Sequence, residues 1–199
     1  MNKILFPVQF YFPSLVDGKA NTIYSFNQQL SKLDFKIFVV SNLAGISEEN
    51  IDKKNFYEKY NIKVDFLKHN FFSLFSKKQF SLVIKNDIVH LSSFFYYSTV
   101  YYLILSIFFN KKIVISTRGE LYPPALKRKY FQKFFYILFF KLFQKKINFH
   151  ATNSYEKNLI KKFFPFSRNI SMIPNLINMP VLFNLKVKNQ IVFLGRINP

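Results

Sequence analysis

The residues best suited to chemistry stand together directly after a short apolar run, in the segment Ser116-Thr117-Arg118-Gly119-Glu120. An arginine beside a glycine at the end of a strand can bind a carboxylate or a phosphate through two parallel hydrogen bonds. Glu120 is placed either to hold a sugar hydroxyl or to orient Arg118. The alternative is a structural ion pair between Arg118 and Glu120.

A second candidate is Gly18, the one glycine of the first predicted loop, which stands just before a predicted helix. Free amides and the helix dipole favour a phosphate at such a position. Glycine also serves ordinary turns, because its backbone tolerates dihedral angles that other residues avoid. The sequence leaves both interpretations of Gly18 open.

Histidine supplies a third candidate, His90, at the end of a predicted buried strand. It either points into the cleft or is a packed, hydrogen-bonded core residue. The other two histidines, His69 and His150, have no obvious partner, and the three lack the spacing of metal ligands. Because the chain has no cysteine, thiolate catalysis is excluded. We expect no metal and no other cofactor.

Apolar periodicity predicts the elements that position these residues. The predicted strands are residues 3–10, 35–41, 62–67, 87–91, 112–117, 148–152 and 170–173. The predicted helices are residues 20–33, 47–59, 71–80, 94–109, 125–145 and 154–163, with Asn153 or Ser154 capping the last. This alternation predicts an α/β fold, a Rossmann-like parallel sheet with helices on both faces. Ligands of such sheets bind beyond the carboxyl ends of the strands, so we expect the site in the loops that follow them.

Two apolar segments were considered for membrane targeting. The longest uncharged one, residues 94–109, is shorter than the roughly 20 apolar residues of a transmembrane helix, and we interpret it as a buried helix. Residues 1–8 contain one lysine and a short apolar run interrupted by Pro7. No small-residue cleavage site follows, so this segment indicates a first strand rather than a signal peptide.

The formal net charge is +19, from 29 basic and 10 acidic residues, so anionic partners are expected. Basic residues alternate with aromatic ones between residues 127 and 146. At helical spacing, one stripe of this segment is predicted to face the core. Its members are Phe131, Phe135, Leu138 and Leu142.

The opposite side of the same segment mixes amines and apolar groups. It comprises Lys129, Lys133, Lys141 and Lys145 together with Phe134, Ile137 and Phe140. Such a side is suited to an anionic membrane surface, with the amines among the headgroups. The alternative is a basic face in contact with solvent. Nucleic acid is not expected as a partner, because no nucleic-acid-binding motif accompanies the charge.

Five fragments of the chain match one enzyme family in order and spacing. They are Asp87-Ile88-Val89-His90, Val114-Ile115-Ser116-Thr117-Arg118-Gly119-Glu120-Leu121, His150-Ala151-Thr152-Asn153-Ser154, Met172-Ile173-Pro174-Asn175 and Phe193-Leu194-Gly195-Arg196-Ile197. Through them the chain resembles the amino-terminal domain of glycosyltransferase family four. The resemblance covers essentially all 199 residues.

The resemblance implies one half of a GT-B enzyme, in which two Rossmann-like domains face a cleft. Such enzymes transfer a sugar from a nucleotide-sugar donor with retention at the anomeric carbon. They usually need no metal, because basic side chains and helix amino termini stabilise the leaving diphosphate. By this resemblance, the donor phosphates are bound by Gly18, Gly195 and Arg196. The acceptor side is lined by Arg118, Gly119, Glu120 and His90.

The resemblance also divides the chain. Residues 1–175 are the acceptor-side domain, residues 176–189 a linker, and residues 190–199 the first strand of an incomplete donor-binding domain. The family's pair of glutamates for the donor sugar would lie beyond Pro199, so we expect the isolated chain to be inactive.

The predicted role is bacterial surface polysaccharide or lipopolysaccharide synthesis with a lipid-linked or glycan acceptor. The predicted location is the cytoplasm, peripheral to the inner face of the cytoplasmic membrane. The alternative is a truncated or non-catalytic binding module that pairs with a separate donor-domain polypeptide, because an unpaired apolar strand at residues 190–194 invites association.

Overall fold

The computed structural model describes residues 2–14, 18–43, 46, 61–67 and 75–175. Within these residues the strands are β1 (Lys3–Pro7), β2 (Lys36–Asn42), β3 (Ile62–Leu67), β4 (Ile88–Leu91), β5 (Lys112–Ser116), β6 (Ile147–Ala151) and β7 (Asn169–Met172). The helices are α1 (Gly18–Lys32), α2 (Lys77–Lys85), α3 (Tyr97–Phe108), α4 (Pro123–Lys127), α5 (Tyr130–Phe143) and α6 (Ser154–Phe163). A single 3-10 turn, Gln144–Lys146, follows α5.

The strands of the described residues form one parallel sheet in the order β3-β2-β1-β4-β5-β6-β7. This confirms the predicted Rossmann-like α/β fold. The bounds of β3 and α6 are those predicted from the sequence. Strand β1 ends at Pro7, three residues before the predicted end at Phe10.

The two faces of the sheet belong to two separate apolar cores. Along β1, Ile4 and Phe6 pack in the core under α1, whereas Leu5 between them packs in the other core. Alternation of this kind follows from the two-residue period of a strand. The core around Leu5 is covered by α3, α5 and α6, so helices lie on both faces, as predicted.

The segment predicted as one helix over residues 125–145 is instead two helices. Pro123 and Pro124 fit the first turn of α4, where their missing amides are not needed. The helix ends at the extended residue Arg128, and Lys129 adopts a left-handed conformation with φ 58° before α5 begins. Neither a proline nor a glycine marks this break, so periodicity alone predicted a continuous helix.

The predicted core-facing stripe of this segment is wrong. Phe131 is 79%, Phe135 65%, Leu138 50% and Leu142 73% exposed, whereas Ile137 and Phe140 are buried. Phe140 packs on Phe94 with the ring centroids 4.1 Å apart. Because α5 is apolar on both sides, its sequence contains two stripes with helical spacing, and periodicity does not say which one faces the sheet.

The uncharged segment over residues 94–109 contains α3, whose Tyr102 and Leu103 are buried, as expected of a core helix. The helix predicted over residues 71–80 begins later, at Lys77. The helix predicted over residues 47–59 lies outside the described residues. Within the described ranges, no helix has the length and apolar character required to cross a membrane.

Candidate functional site

Gly18, His90 and the segment Arg118-Gly119-Glu120 lie at one edge of the sheet, where the parallel strands β1, β4, β5 and β6 end beside one another. The strand order reverses between β1 and β4. Ligands of open α/β sheets bind in the crevice at such a reversal. The loops after these strands therefore carry the candidate site.

Glu120, in the loop after β5, joins three of these loops. Its Oε1 accepts hydrogen bonds from Lys19 Nζ at 2.8 Å and from Ser93 Oγ at 2.9 Å. Its Oε2 accepts from the backbone amides of Phe94 and Phe95. The ion-pair partner of Glu120 is therefore Lys19 rather than the predicted Arg118. With four donors already bound to the carboxylate, Glu120 is suited to holding the loops in place, not to binding a sugar hydroxyl.

Gly18 and Lys19 are the first residues of α1. A Cβ added to Gly18 would meet no described atom within 4 Å, so the backbone is open to a close approach at this helix end. The Lys19 ammonium is drawn across to Glu120, with the lysine side chain 35% exposed. Positive charge from a lysine and from the helix amino terminus thus lies together, as a phosphate site requires.

Arg118 and Gly119 form a tight turn with consecutive positive φ angles of 44° and 77°. Glycine adopts this conformation without strain, whereas a side chain at position 119 would not. The turn presents Arg118 beside the end of the described chain, where its Nη1 donates to Asn175 Oδ1 at 3.2 Å. Arg118 and Gly119, two of the four predicted acceptor-side residues, are therefore at the carboxyl edge of the sheet.

Glu156, near the start of α6, accepts hydrogen bonds from the Arg118-Gly119 turn and from the residue before it. Its Oε1 accepts from Thr117 Oγ1 and from the Gly119 amide, both at 2.6 Å, and its Oε2 accepts from the amide and the hydroxyl of Thr152. Burial alone would raise the pKa of this carboxyl, but the hydrogen bonds from Thr117, Gly119 and Thr152 outweigh it and lower the pKa. Glu156 is thus a buried anion that fixes the loops after β5 and β6.

Glu156 is not among the site residues predicted from the sequence, although a signal was present. Asn153 caps α6, as predicted, by accepting from the Glu156 amide at 2.9 Å. A glutamate three residues after a capping residue is the capping-box spacing, and this spacing places its carboxylate near the unpaired amides of the first turn.

His90, Ser116 and His150 form a hydrogen-bonded chain across three strands. His150 Nε2 lies 2.8 Å from the carbonyl of Ile173, which only accepts, so this nitrogen carries the proton. Its Nδ1 then accepts from Ser116 Oγ at 2.7 Å, and Ser116 Oγ accepts from His90 Nε2 at 2.7 Å. His150 therefore has two hydrogen-bond partners, although the sequence indicated none.

Burial and the positive charge of Arg118, together with the neighbouring His150, hold the pKa of His90 well below its ordinary value. Burial likewise lowers the pKa of His150, and the hydrogen bond to Ile173 partly offsets this effect. Both rings line an apolar cavity of about 260 Å³ beside Phe26 of α1. His90 is accordingly a packed and hydrogen-bonded core residue, the second of its two predicted interpretations.

Several solved protein chains are similar to this one. The Anabaena protein HepE, in complex with UDP and glucose, aligns with a TM-score of 0.62 at 12% identity, over 89% of this chain and 45% of its own. A glycosyltransferase from Rickettsia africae aligns with a TM-score of 0.54 at 16% identity, over 87% of this chain and 42% of its own. This chain has the fold of half a glycosyltransferase.

At these identities the likeness concerns the fold alone, and the chain spans less than half the length of either neighbour. The sequence matches no protein-family model and no curated protein.

The four lysines predicted to contact a membrane are not equivalent. Lys129, Lys141 and Lys145 are exposed. Lys133 is half-buried, because its Nζ donates to the Ala125 carbonyl and lies 5.1 Å from the centre of the Phe95 ring. Lys133 thus differs from the other three lysines in that its amine is bound within the protein, and the membrane contact predicted for all four stays a prediction.

The remaining predicted residues lie outside the described part of the chain. They are His69, Gly195 and Arg196, together with the predicted linker over residues 176–189 and the predicted strand over residues 190–199. Their roles stay predictions.

Proposed function

We propose that this chain is the acceptor-side half of a retaining glycosyltransferase that uses a nucleotide-sugar donor. The observation that carries the proposal is the junction at Glu120. It ties the first turn of α1, the loop after β4 and the Arg118-Gly119 turn together at the edge of the sheet where ligands of this fold bind. The complex of HepE with UDP and glucose supports a nucleotide sugar as the donor.

In this proposal the donor diphosphate lies near the amino terminus of α1. Gly18 leaves the backbone accessible there, and Lys19 adds a positive charge. Both stabilise negative charge that develops on a leaving diphosphate, which lowers the barrier to transfer. Gly195 and Arg196 would complete the phosphate site from the second half of the enzyme.

The acceptor is proposed to lie against the Arg118-Gly119 turn. The guanidinium of Arg118 is suited to a phosphate or carboxylate on a lipid-linked or glycan acceptor. Glu156 and Glu120 fix this turn from two sides, so its position is set before the substrate arrives. We assign Glu120 a positioning role and His90 a structural one.

We propose that catalysis needs no metal, because α1 and Lys19 supply positive charge at the leaving diphosphate that a cation would otherwise provide. The proposed setting is the cytoplasmic face of the bacterial membrane, in surface polysaccharide or lipopolysaccharide synthesis. Pairing with a separate donor-domain polypeptide stays a prediction, since the strand that motivated it lies outside the described residues.

The test is a sugar-transfer assay on the native-length protein purified from its source. Labelled nucleotide sugars are offered with a membrane lipid and glycan extract, and the anomeric configuration of the product is read by NMR. Arg118→Ala is expected to raise the KM for the acceptor by about tenfold or more, because it removes the proposed charged hydrogen bonds to a phosphate or carboxylate of the acceptor. Lys32→Ala, at an exposed lysine in the last turn of α1, is the matched control and should leave this KM unchanged.

Activity is expected to survive EDTA. An inverted product would refute the retaining mechanism. Loss of transfer in EDTA that added Mg²⁺ restores would refute the metal-free proposal.

A further inference from the structure

Helix α5 exposes an apolar face. Its exposed members are Tyr130, Phe131, Phe134, Phe135, Leu138 and Leu142. At about 100° per residue, all of these positions except Tyr130 fall within a sector of about 100° that contains no polar residue. Phe131 is 79% and Leu142 73% exposed. An apolar sector of this width on a surface helix marks an interaction site.

The surroundings of this face are basic. From Leu121 to Tyr155 the sequence contains seven lysines and arginines and no aspartate or glutamate. Lys127, Arg128 and Lys129 precede α5, and Lys145 and Lys146 follow it; all five are exposed. Lys141, also exposed, lies at the margin of the apolar sector. The helix is about 21 Å long at 1.5 Å per residue, so cations lie at both ends of the apolar face.

A basic pocket opens at the carboxyl end of α5. Its volume is about 460 Å³, and it lies where strands β5, β6 and β7 begin. The basic residues of its lining are Lys111, Lys112, Lys145, Lys146 and Arg168, accompanied by Asn110, Asn148 and Asn169 and by no acidic residue. Among the described residues, Lys112, Lys146 and Arg168 form no ion pair. The pocket is large enough for a phosphate group.

We propose that α5 and this pocket form one docking surface for an anionic phospholipid bilayer. The aromatic face of α5 enters the boundary between headgroups and acyl chains, and the pocket binds the phosphate of an anionic headgroup. Only Phe143 and Gln144 separate Leu142, at the end of the apolar face, from Lys145, at the rim of the pocket. The inference refines the peripheral membrane location within the proposed function, and it replaces the face of α5 predicted from the sequence with the opposite one.

Charge selects the bilayer over the other possible occupants. A second copy of this chain would bring another +19 charge against the same basic surface, and the repulsion opposes association. Anionic lipids attract each basic residue near their surface, and aromatic side chains favour the interfacial region. Nucleic acid would pair with the basic residues but would leave the apolar side chains of α5 exposed to water.

The experiment is flotation of the full chain with vesicles of phosphatidylglycerol and phosphatidylethanolamine, compared with pure phosphatidylcholine vesicles, at low salt. Wild type is expected to float with the anionic vesicles. The variant Phe131→Ser/Phe135→Ser/Leu142→Ser should bind them at least tenfold more weakly, because it removes the apolar contacts. The matched control, Leu33→Ser/Phe75→Ser, changes exposed apolar residues elsewhere and should bind as wild type does.

The pocket is tested with two triple variants that remove the same number of positive charges. Lys112→Gln/Lys146→Gln/Arg168→Gln should weaken binding at least tenfold. Lys32→Gln/Lys36→Gln/Lys63→Gln removes the same charge from exposed lysines outside the pocket and should weaken it less. Equal effects of the two triple variants would overturn the pocket as a headgroup site. Unchanged folding of each variant is checked by circular dichroism.

Other results overturn the docking surface itself. Wild type that ignores anionic vesicles, or a serine variant that binds as wild type does, contradicts it. If wild type is a dimer and the triple serine variant is a monomer, the apolar face of α5 binds a second copy of the chain instead. Retention on generic DNA with no vesicle binding would assign it to nucleic acid. Transfer to a detergent-solubilised acceptor is measured in parallel, so vesicle binding without any transfer would refute only the proposed glycosyltransferase activity.

Discussion

Lys19 and Glu120 form an ion pair at 2.8 Å, although 101 positions separate them in the chain. Because Glu120 also accepts from the amides of Phe94 and Phe95, the pair connects the loops that follow β1, β4 and β5. These loops make up the edge of the sheet where the proposed substrates bind. The pair is therefore the link between the folding of the sheet and the shape of the site.

Glu120→Gln is expected to lower the free energy of unfolding by roughly 1.5–3 kcal/mol, because the carboxylate is largely buried among four donors. Lys19→Met should cost less than about 1 kcal/mol, since the ammonium is a third exposed and water screens it. Urea unfolding measures both, with the exposed Asp34→Asn as the control. A larger loss for Lys19→Met than for Glu120→Gln would contradict the role of Glu120 as the junction.

Gly119→Ala is expected to destabilise the protein by about 1–2 kcal/mol, because residue 119 has φ 77° and a Cβ is strained in that conformation. Gly18→Ala is the matched control. It lies in open space without a positive φ and should be neutral or stabilising by roughly 0.4–1 kcal/mol. Thermal unfolding of the two variants compares them directly, and equal melting temperatures would refute the conformational requirement at Gly119.

Glu156→Gln should reduce stability at pH 7 by roughly 1–3 kcal/mol. All four partners of the carboxylate are donors, and the NH₂ group of a glutamine cannot accept hydrogen bonds from them. The pKa of Glu156 is lowered on folding, so its contribution is complete above its ordinary pKa of 4.5 and is lost as the pH falls through the folded value. The variant should therefore lose less stability than wild type on acidification below pH 4.5. Parallel pH profiles for wild type and Glu156→Gln would contradict this assignment.

The histidine pair predicts a second pH dependence at milder acidity. Folding lowers the pKa of both His90 and His150, so below pH 6.5 the unfolded state binds more protons than the folded state. Stability should be complete above pH 6.5 and fall as the pH drops below it toward the lowered pKa values of the folded state. His90→Phe should reduce this slope by up to about 1.4 kcal/mol per pH unit, the limit for one proton.

Phe26→Leu, which changes the neighbouring ring without adding or removing a titrating group, is the control for the histidine prediction. It should lower stability and leave the slope unchanged. A slope in His90→Phe equal to that of wild type would show that His90 does not titrate in this range.

The fold was predictable from the sequence because strands such as β1 and β5 are apolar runs and helices such as α6 are amphipathic. Periodicity resolves both, and it placed β3 and α6 at their observed bounds. It failed at α5, where apolar residues occupy both sides of the helix. The choice of the inward side there depends on tertiary packing, such as the contact of Phe140 with Phe94.

The site was predictable in part. Arg118 and Gly119 were found because they follow a strand directly, and strand ends are where this fold binds ligands. The partner of Glu120 was not found, because a pair that spans 101 positions depends on the conformations of three loops. The hydrogen-bonded chain through Ser116 was missed for a related reason, since its members come from three strands and no local spacing connects them.

The most direct test of the central claim is the transfer of label from a nucleotide sugar to a membrane extract by the native-length wild-type protein. We predict that labelled sugar appears in the lipid or glycan fraction with release of one nucleoside diphosphate per sugar transferred. If folded protein yields no labelled product with any of the UDP-, GDP-, dTDP- and ADP-sugars, the proposed glycosyltransferase function is wrong.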